Sequence, residues 1–109
     1  MDLPAKKIGI LLSTAPGTAA FREGLQFASR VTDAGNRVFV YCIHDAVTGV
    51  SDPVLQDLRN RGLVLHACAF AAKRRGLPVN DLACFGGLGT LGDLIAATHE
   101  FRHFGGTGE

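Results

Sequence analysis

The segment KIGILLSTAPGTAAFREGLQFASRVTDAG, residues 7–35, contains the unit from which the fold is built. Its first part, Lys7 to Ser13, is a nearly continuous apolar run, which is typical of a strand buried on both faces of a parallel sheet. A Pro-Gly turn follows, and apolar residues then recur at helical spacing between a cap at Thr18 and a stop at Gly35. This succession of strand, turn and helix predicts the first half of a βαβ unit.

The rest of the chain repeats the alternation of strand and helix. Gly62 and Gly76 are placed as helix stops, and Thr90 with Asp93 forms a pattern typical of a capping box. Alternating elements imply right-handed crossovers, so we predict an α/β three-layer sandwich around a doubly wound, mainly parallel five-stranded sheet. Further strands are predicted at 37–43, 63–67, 82–85 and, as an edge, 101–104, and further helices at 54–61, 69–75 and from 90 onward.

The length and composition predict a single domain that associates with other subunits. The chain has 109 residues, which we assign to one domain over 1–109 with a frayed tail from Gly105 to Glu109. Only 19% of the residues are charged and 47% are apolar. A soluble monomer has a surface that is roughly 25–35% charged, so part of this surface is expected to meet another copy or a partner protein.

The charge distribution argues against nucleic acid and membrane ligands. The formal net charge is +1, and the one block of like charges is Lys73 to Arg75, so we predict no direct nucleic acid partner. The apolar run near the N-terminus, Ile8 to Leu12, is too short for a signal peptide or a spanning helix. The sequence therefore predicts a cytoplasmic protein without membrane contact.

The three cysteines are predicted to be reduced thiols. An odd number with wide spacing suits neither a disulfide framework nor a zinc site, so no metal is expected. Cys42 falls inside a strand and is assigned to the core. Cys84 follows a short strand before a glycine-rich run, where a second exposed thiol is possible, although packing is the favoured interpretation.

Cys68 stands at the junction between a predicted strand and a predicted helix. In open α/β sheets, ligands bind beyond the carboxyl ends of the strands, which is where this residue lies. The free N–H groups and the positive dipole end of the helix favour a thiolate there. A buried cysteine acting as a small hydrophobe is equally compatible with the position, so both interpretations stay open.

Two further candidates and one basic cluster surround this position. His66 is two residues from Cys68, so both side chains are predicted on the same face of the strand, where the imidazole could assist thiolate formation. The alternative is a histidine that is hydrogen-bonded within the sheet layer and has no chemical role. Asp45 ends the neighbouring strand, the alternative being a simple turn with an Asx-type hydrogen bond. Arg74 and Arg75 are predicted to be a solvated helix end without pairing to the sulfur, with docking of an acidic carrier protein as the functional alternative.

A flavin or nucleotide module is the competing ligand-binding hypothesis. The loop from Ser13 to Thr18 occupies the place where flavodoxin-like folds hold a phosphate. However, the chain has no Walker pattern and no Trp, and Tyr41 lies within a strand, so an aromatic flavin site is hard to assemble. We therefore predict no cofactor.

Four stretches resemble the DsrE and TusD family of small sulfur-relay proteins. STAPGTAAFREGLQFASRVTDAG is similar to the family's opening loop and helix, and LHACAFAAKRRGL to its cysteine segment. GGLGTLGDLI and FRHFG are similar to its late helix start and its last strand. The resemblance implies a DsrE-like fold and homo- or hetero-oligomers, commonly trimers or hexamers.

The resemblance also implies an activity. It identifies Cys68 as a thiol that takes up sulfane sulfur as a persulfide and passes it to a partner, in tRNA thiolation or in sulfur oxidation. The chain is accordingly predicted to be a sulfurtransferase, with His66 and Asp45 as second-tier residues for proton handling or positioning. The alternative is a non-catalytic structural or regulatory subunit of a DsrE-like oligomer, in which Cys68 is merely packed.

Overall fold

A computed structural model describes residues 5–105 and has a five-stranded, wholly parallel sheet in the order β4-β3-β2-β1-β5. The predicted doubly wound α/β fold with helices on both sides of the sheet is confirmed. The predicted tail lies outside the described residues, apart from Gly105. The elements are β1 Lys7–Leu12, α1 Ala19–Asp33, β2 Arg37–Cys42, a 3-10 helix His44–Gly49, α2 Pro53–Asn60, β3 Val64–Cys68, α3 Ala69–Arg74, β4 Cys84–Gly86, α4 Leu88–Ala97 and β5 Glu100–Phe104.

Local capping groups explain where the first two helices begin and end. The Thr18 hydroxyl accepts a hydrogen bond from the N–H of Phe21 at 3.2 Å, and the Asp52 carboxylate accepts one from the N–H of Val54 at 2.8 Å. Gly35 follows α1 with φ +91°, a conformation that costs other residues energy. These helix ends agree with the sequence prediction to within a residue or two.

One face of the sheet carries the hydrophobic core. Its side chains come from alternate positions of β1, β2 and β3, and α1 and α2 cover them. Gly24 of α1 lies so close to Leu12 that a Cβ at this position would overlap that side chain. The buried residues of this face include Ile8, Ile10, Leu12, Val38, Val40, Cys42, Leu65 and Ala67.

The opposite face of the sheet is thinly covered. It meets α4, whose C-terminal end brings Thr98 and the adjacent Phe101 against Gly9. None of the residues of α4 is buried. On the same face Phe39 is only half-buried and Cys84 is exposed. The layer on this side is therefore incomplete within one chain.

Two local predictions differ from the structure. The capping box at Thr90 and Asp93 does not form, because α4 begins two residues earlier, at Leu88, with Gly87 as its N-cap residue. The segment after β2, for which no helix was predicted, is a 3-10 helix whose first residue, His44, has φ 53°. Both differences shift side chains at the carboxyl edge of the sheet, where the candidate site lies.

Candidate thiol site

A cavity of about 740 Å³ opens at the carboxyl ends of β2 and β3. Its walls come from the 3-10 helix, α3 and the start of α4, which meet above the sheet. Cavities of roughly 300–1,000 Å³ hold small molecules or short peptide segments. This is the edge of the sheet at which open α/β proteins bind ligands.

Cys68 lies at the floor of this cavity. It is the last residue of β3 and the N-cap residue of α3, and its Sγ accepts a hydrogen bond from the N–H of Ala71 at 3.4 Å. The junction predicted from the sequence is therefore present. The residue is only 4% exposed, so the sulfur is covered except where it borders the cavity.

Asp45 enters the same cavity but is held by an arginine. Its Oδ1 accepts hydrogen bonds from Arg75 Nε at 3.0 Å and Nη2 at 2.8 Å, while Arg75 Nη1 donates to the backbone oxygen of Ala71 at 3.1 Å. The Asx-type turn that we weighed for Asp45 is not formed. Arg75 is exposed at the end of α3, as predicted, and its guanidinium in addition joins α3 to the 3-10 helix, which the sequence did not predict.

His66 lies on the same face of β3 as Cys68 but does not line the cavity. Its imidazole stacks on the ring of Tyr41, with 6.4 Å between centroids and 20° between planes. Burial lowers the pKa of His66 from its ordinary value of about 6.5, so the ring is neutral at pH 7. The structure thus brings Cys68 and Asp45 to one cavity. His66 lies outside it, two residues before Cys68 on the same face of β3.

Tyr41 is a residue of the site that sequence reasoning missed. It is fully buried in β2, and its hydroxyl donates a hydrogen bond to the backbone oxygen of Gly87, 2.8 Å away. Burial, together with the neighbouring Cys68, raises the pKa of Tyr41 to about 12. The register of β2 with β3 puts Tyr41 on the face of His66, and the position of β4 decides which atoms its hydroxyl meets.

The other two cysteines have opposite environments. Cys42 is completely buried, as predicted, and burial raises the pKa of its thiol to about 12. The favoured interpretation of Cys84 as a packed residue is wrong: it is exposed, because β4 is a three-residue edge strand on the thinly covered face. All three cysteines are free thiols.

The threonine hydroxyls of the loop after β1 are hydrogen-bonded within that loop. The Thr14 and Thr18 hydroxyls bond each other at 2.9 Å, and Thr18 also donates to the backbone oxygen of Ala15. Within residues 5–105, no three His, Cys, Asp or Glu side chains come together as metal ligands. Over the same range, no helix has the length and apolar character needed to cross a bilayer.

The lowered pKa of His66 predicts a loss of stability in acid. The folded state resists protonation of His66 whereas the unfolded chain does not, so stability is complete above the unfolded pKa of about 6.5 and falls as pH drops toward the folded value. The free energy of unfolding is measured in urea at pH 7.5 and at pH 5.5. Between these two pH values, we expect it to fall less for His66→Phe than for wild type. Equal losses in the two proteins would show that other groups cause the acid sensitivity.

These features define an open α/β protein with a cysteine at the floor of a cavity at the carboxyl edge of its sheet. The sequence pattern of the DsrE/DsrF-like family matches residues 6–103, and the chain belongs to that family. The family is known generally for sulfur relay between proteins. The family resemblance read from the four sequence stretches is therefore confirmed.

A solved structure has the same fold. The crystal structure of the YchN protein from E. coli is similar over 91% of this chain and 99% of its own, with a TM-score of 0.75 and 21% sequence identity. No curated protein is similar enough in sequence to count as a match. At this identity the structural likeness establishes the fold and leaves the activity to be argued from the site.

Proposed function

We propose that this protein is a sulfurtransferase that carries sulfane sulfur as a persulfide on Cys68. The observation that carries the proposal is the position of the sulfur, which accepts a backbone hydrogen bond from Ala71 and borders a cavity large enough for a visiting thiol. Membership in a family that acts in sulfur relay supports the same conclusion. A persulfide carrier needs no cofactor, only an activated and accessible sulfur.

The proposed reaction consists of two thiol exchanges without net oxidation or reduction. The Cys68 thiolate attacks the outer sulfur of a donor persulfide R–S–SH, the S–S bond of the donor breaks, and R–S⁻ leaves with the electron pair. In the second step, an acceptor thiolate attacks the outer sulfur of Cys68-S-SH and Cys68 leaves as the thiolate. In both steps the rate depends on the stability of the leaving thiolate.

Asp45 and His66 are proposed as second-tier residues. The bond to Arg75 fixes the Asp45 carboxylate at the cavity wall, which favours a role in positioning over proton transfer. His66 is neutral at pH 7 and lies behind Cys68 on the same face, so its role would be indirect.

An apolar and basic rim surrounds the cavity entrance and is the proposed docking surface for the next carrier. This rim consists of Phe70, Arg74 and Leu88. Phe70 is 67% exposed and Leu88 63%, and the Arg74 guanidinium lies over the Phe70 ring at 5.7 Å. Exposed aromatic and arginine side chains are typical of binding hot spots, and the positive charge favours an acidic partner protein.

Reversing the charge of the rim should slow sulfur transfer to acidic acceptors. Two synthetic peptides of equal length, each with one cysteine flanked by Glu or by Lys, serve as acceptors for persulfidated protein. We expect wild type to favour the acidic peptide and Arg74→Glu to lose about tenfold in its transfer rate, less at high salt. The control is Arg22→Glu, an equal charge change on an exposed position of α1. Equal losses in both variants would refute a local docking role.

The thinly covered face is the proposed assembly surface. It consists of α4 together with the sheet residues beneath it, and Ile95 of α4 is 50% exposed. We propose a homo- or hetero-oligomer, a trimer or a hexamer, as the family resemblance in the sequence implies. We place such an assembly in the cytoplasm, where free thiols persist, in tRNA thiolation or in sulfur oxidation without direct contact to nucleic acid.

The second candidate function is a non-catalytic structural or regulatory subunit. The observation that favours it is the low exposure of Cys68, 4%. Treatment of the native protein with inorganic polysulfide, followed by mass analysis of its peptides, separates the two functions. The relay proposal requires a gain of about 32 Da, one sulfur atom, on the Cys68 peptide. Modification of Cys68 only after unfolding would support the structural subunit.

A further inference from the structure

The hydroxyl of the buried Tyr41 can donate one hydrogen bond and has more than one acceptor within its range. The Tyr41 hydroxyl lies 2.8 Å from the backbone oxygen of Gly87 and 3.5 Å from that of Gly86. Gly86 is the cross-strand partner of Cys68 in the pairing of β3 with β4. Since β3 lies between β2 and β4, the Tyr41 side chain crosses β3 on the face that carries Cys68.

The Tyr41 hydroxyl lies near Cys68, because it comes within 3.5 Å of the backbone oxygen of Gly86, the cross-strand partner of Cys68. Burial, and after it the charge of the nearby Cys68 sulfur, raises the pKa of Tyr41 to about 12. The phenol therefore remains protonated throughout the physiological pH range and is a permanent donor. The other ionisable groups around the site are His66 stacked on the ring, Cys84 beside His66, His44 and Asp45 on the 3-10 helix, and Arg74 and Arg75 on α3.

We propose that Tyr41 is a positioning residue for the Cys68 sulfur, whose hydroxyl donates to Gly87 when Cys68 is a thiol and to the sulfur when Cys68 is an anion. A hydrogen bond to a charged acceptor is roughly twice as strong as one to a neutral carbonyl, so ionisation of Cys68 favours the switch. The inference rests on the proposed function insofar as it assigns the anion a role in sulfur uptake.

The switch also connects the chemical state of the sulfur to the cavity wall. Gly87 is the N-cap residue of α4, and both Gly87 and Leu88 line the cavity. When the phenol donates to the sulfur, the Gly87 oxygen loses this hydrogen bond. The start of α4 is then less tightly held while Cys68 is charged, which is the state in which a donor or acceptor must enter.

The first test measures the pH dependence of Cys68 alkylation in a Cys84→Ser background, in which Cys42 is too buried to compete. We expect Tyr41→Phe to raise the midpoint of the alkylation profile by about one pH unit, equivalent to a tenfold lower thiolate fraction. A purely structural role would lower thermal stability without moving this midpoint. An unchanged midpoint in the folded variant would overturn the proposal.

The second test needs no change at Tyr41. The chain has one tyrosine and no tryptophan, so tyrosine fluorescence reports on Tyr41 alone. We expect the fluorescence of the Cys84→Ser protein to change with the same midpoint as Cys68 alkylation and this change to be absent in Cys68→Ser/Cys84→Ser. A transition from His66, which stacks on the ring, would persist in both proteins. If no transition depends on Cys68, the switch does not exist.

The outcome can be separated from that of the proposed function. Sulfur uptake is measured on the same proteins by the gain in mass after polysulfide treatment. A Cys68-dependent fluorescence transition without sulfur uptake would refute the relay function and leave the hydrogen-bond switch in place. Sulfur uptake with an unchanged alkylation midpoint in Tyr41→Phe would refute the switch alone.

Discussion

In a Cys84→Ser background, Cys68→Ser is expected to lose persulfide formation almost completely, by about 100-fold or more relative to Cys84→Ser alone, because the sulfur nucleophile is removed. Serine is the best probe at this position because Cys68 is the N-cap residue of α3, and serine is among the strongest N-cap residues. The hydroxyl can take over the bond from the N–H of Ala71, so the variant should fold normally. The measurement is mass analysis of the loaded protein after polysulfide treatment.

The matched control for this experiment is Cys84→Ser. Cys84 is exposed in the single chain and can collect sulfur from polysulfide without any built site, so uptake by the whole chain is not by itself informative. We expect Cys84→Ser to keep loading at Cys68 and to pass that sulfur to an acceptor thiol, whereas Cys68→Ser/Cys84→Ser passes none. Equal transfer rates from Cys68→Ser and wild type would rule out Cys68 as the carrier.

The sequence predicted the fold because the signals that define it are local. An apolar run such as Ile8 to Leu12 specifies a buried strand whatever its neighbours are, and Gly35 marks a helix end through its own backbone. The place of Cys68 at a strand-to-helix junction follows from the same local signals. These features needed no knowledge of which strands lie side by side.

The details of the site were not predictable in this way because they depend on distant pairs. Asp45 and Arg75 are separated by 30 residues and meet only because α3 packs on the 3-10 helix. Tyr41 reaches Gly87, 46 residues away, only because β4 lies beyond β3. Periodicity determines which face of a strand a side chain occupies, but not which distant residues that side chain contacts.

Ile95→Lys is expected to convert the proposed assembly largely to monomers. Ile95 is 50% exposed on a helix that has no buried residue, so in a single chain this aliphatic side chain lacks a protein partner over half its surface. A charge at the centre of an apolar interface must lose its hydration without compensation, which costs several kcal/mol, or roughly a 1,000-fold weaker association. The measurement is sedimentation of the purified proteins across a range of concentrations.

The control for this variant is Val54→Glu on α2. Val54 is 44% exposed and lies in the first turn of its helix, where a negative charge suits the helix dipole, just as lysine suits the last turn of α4 at Ile95. Neither change should destabilise the monomer, so a difference in assembly would arise from the surface alone. If both variants remain assembled, the thinly covered face is not the interface.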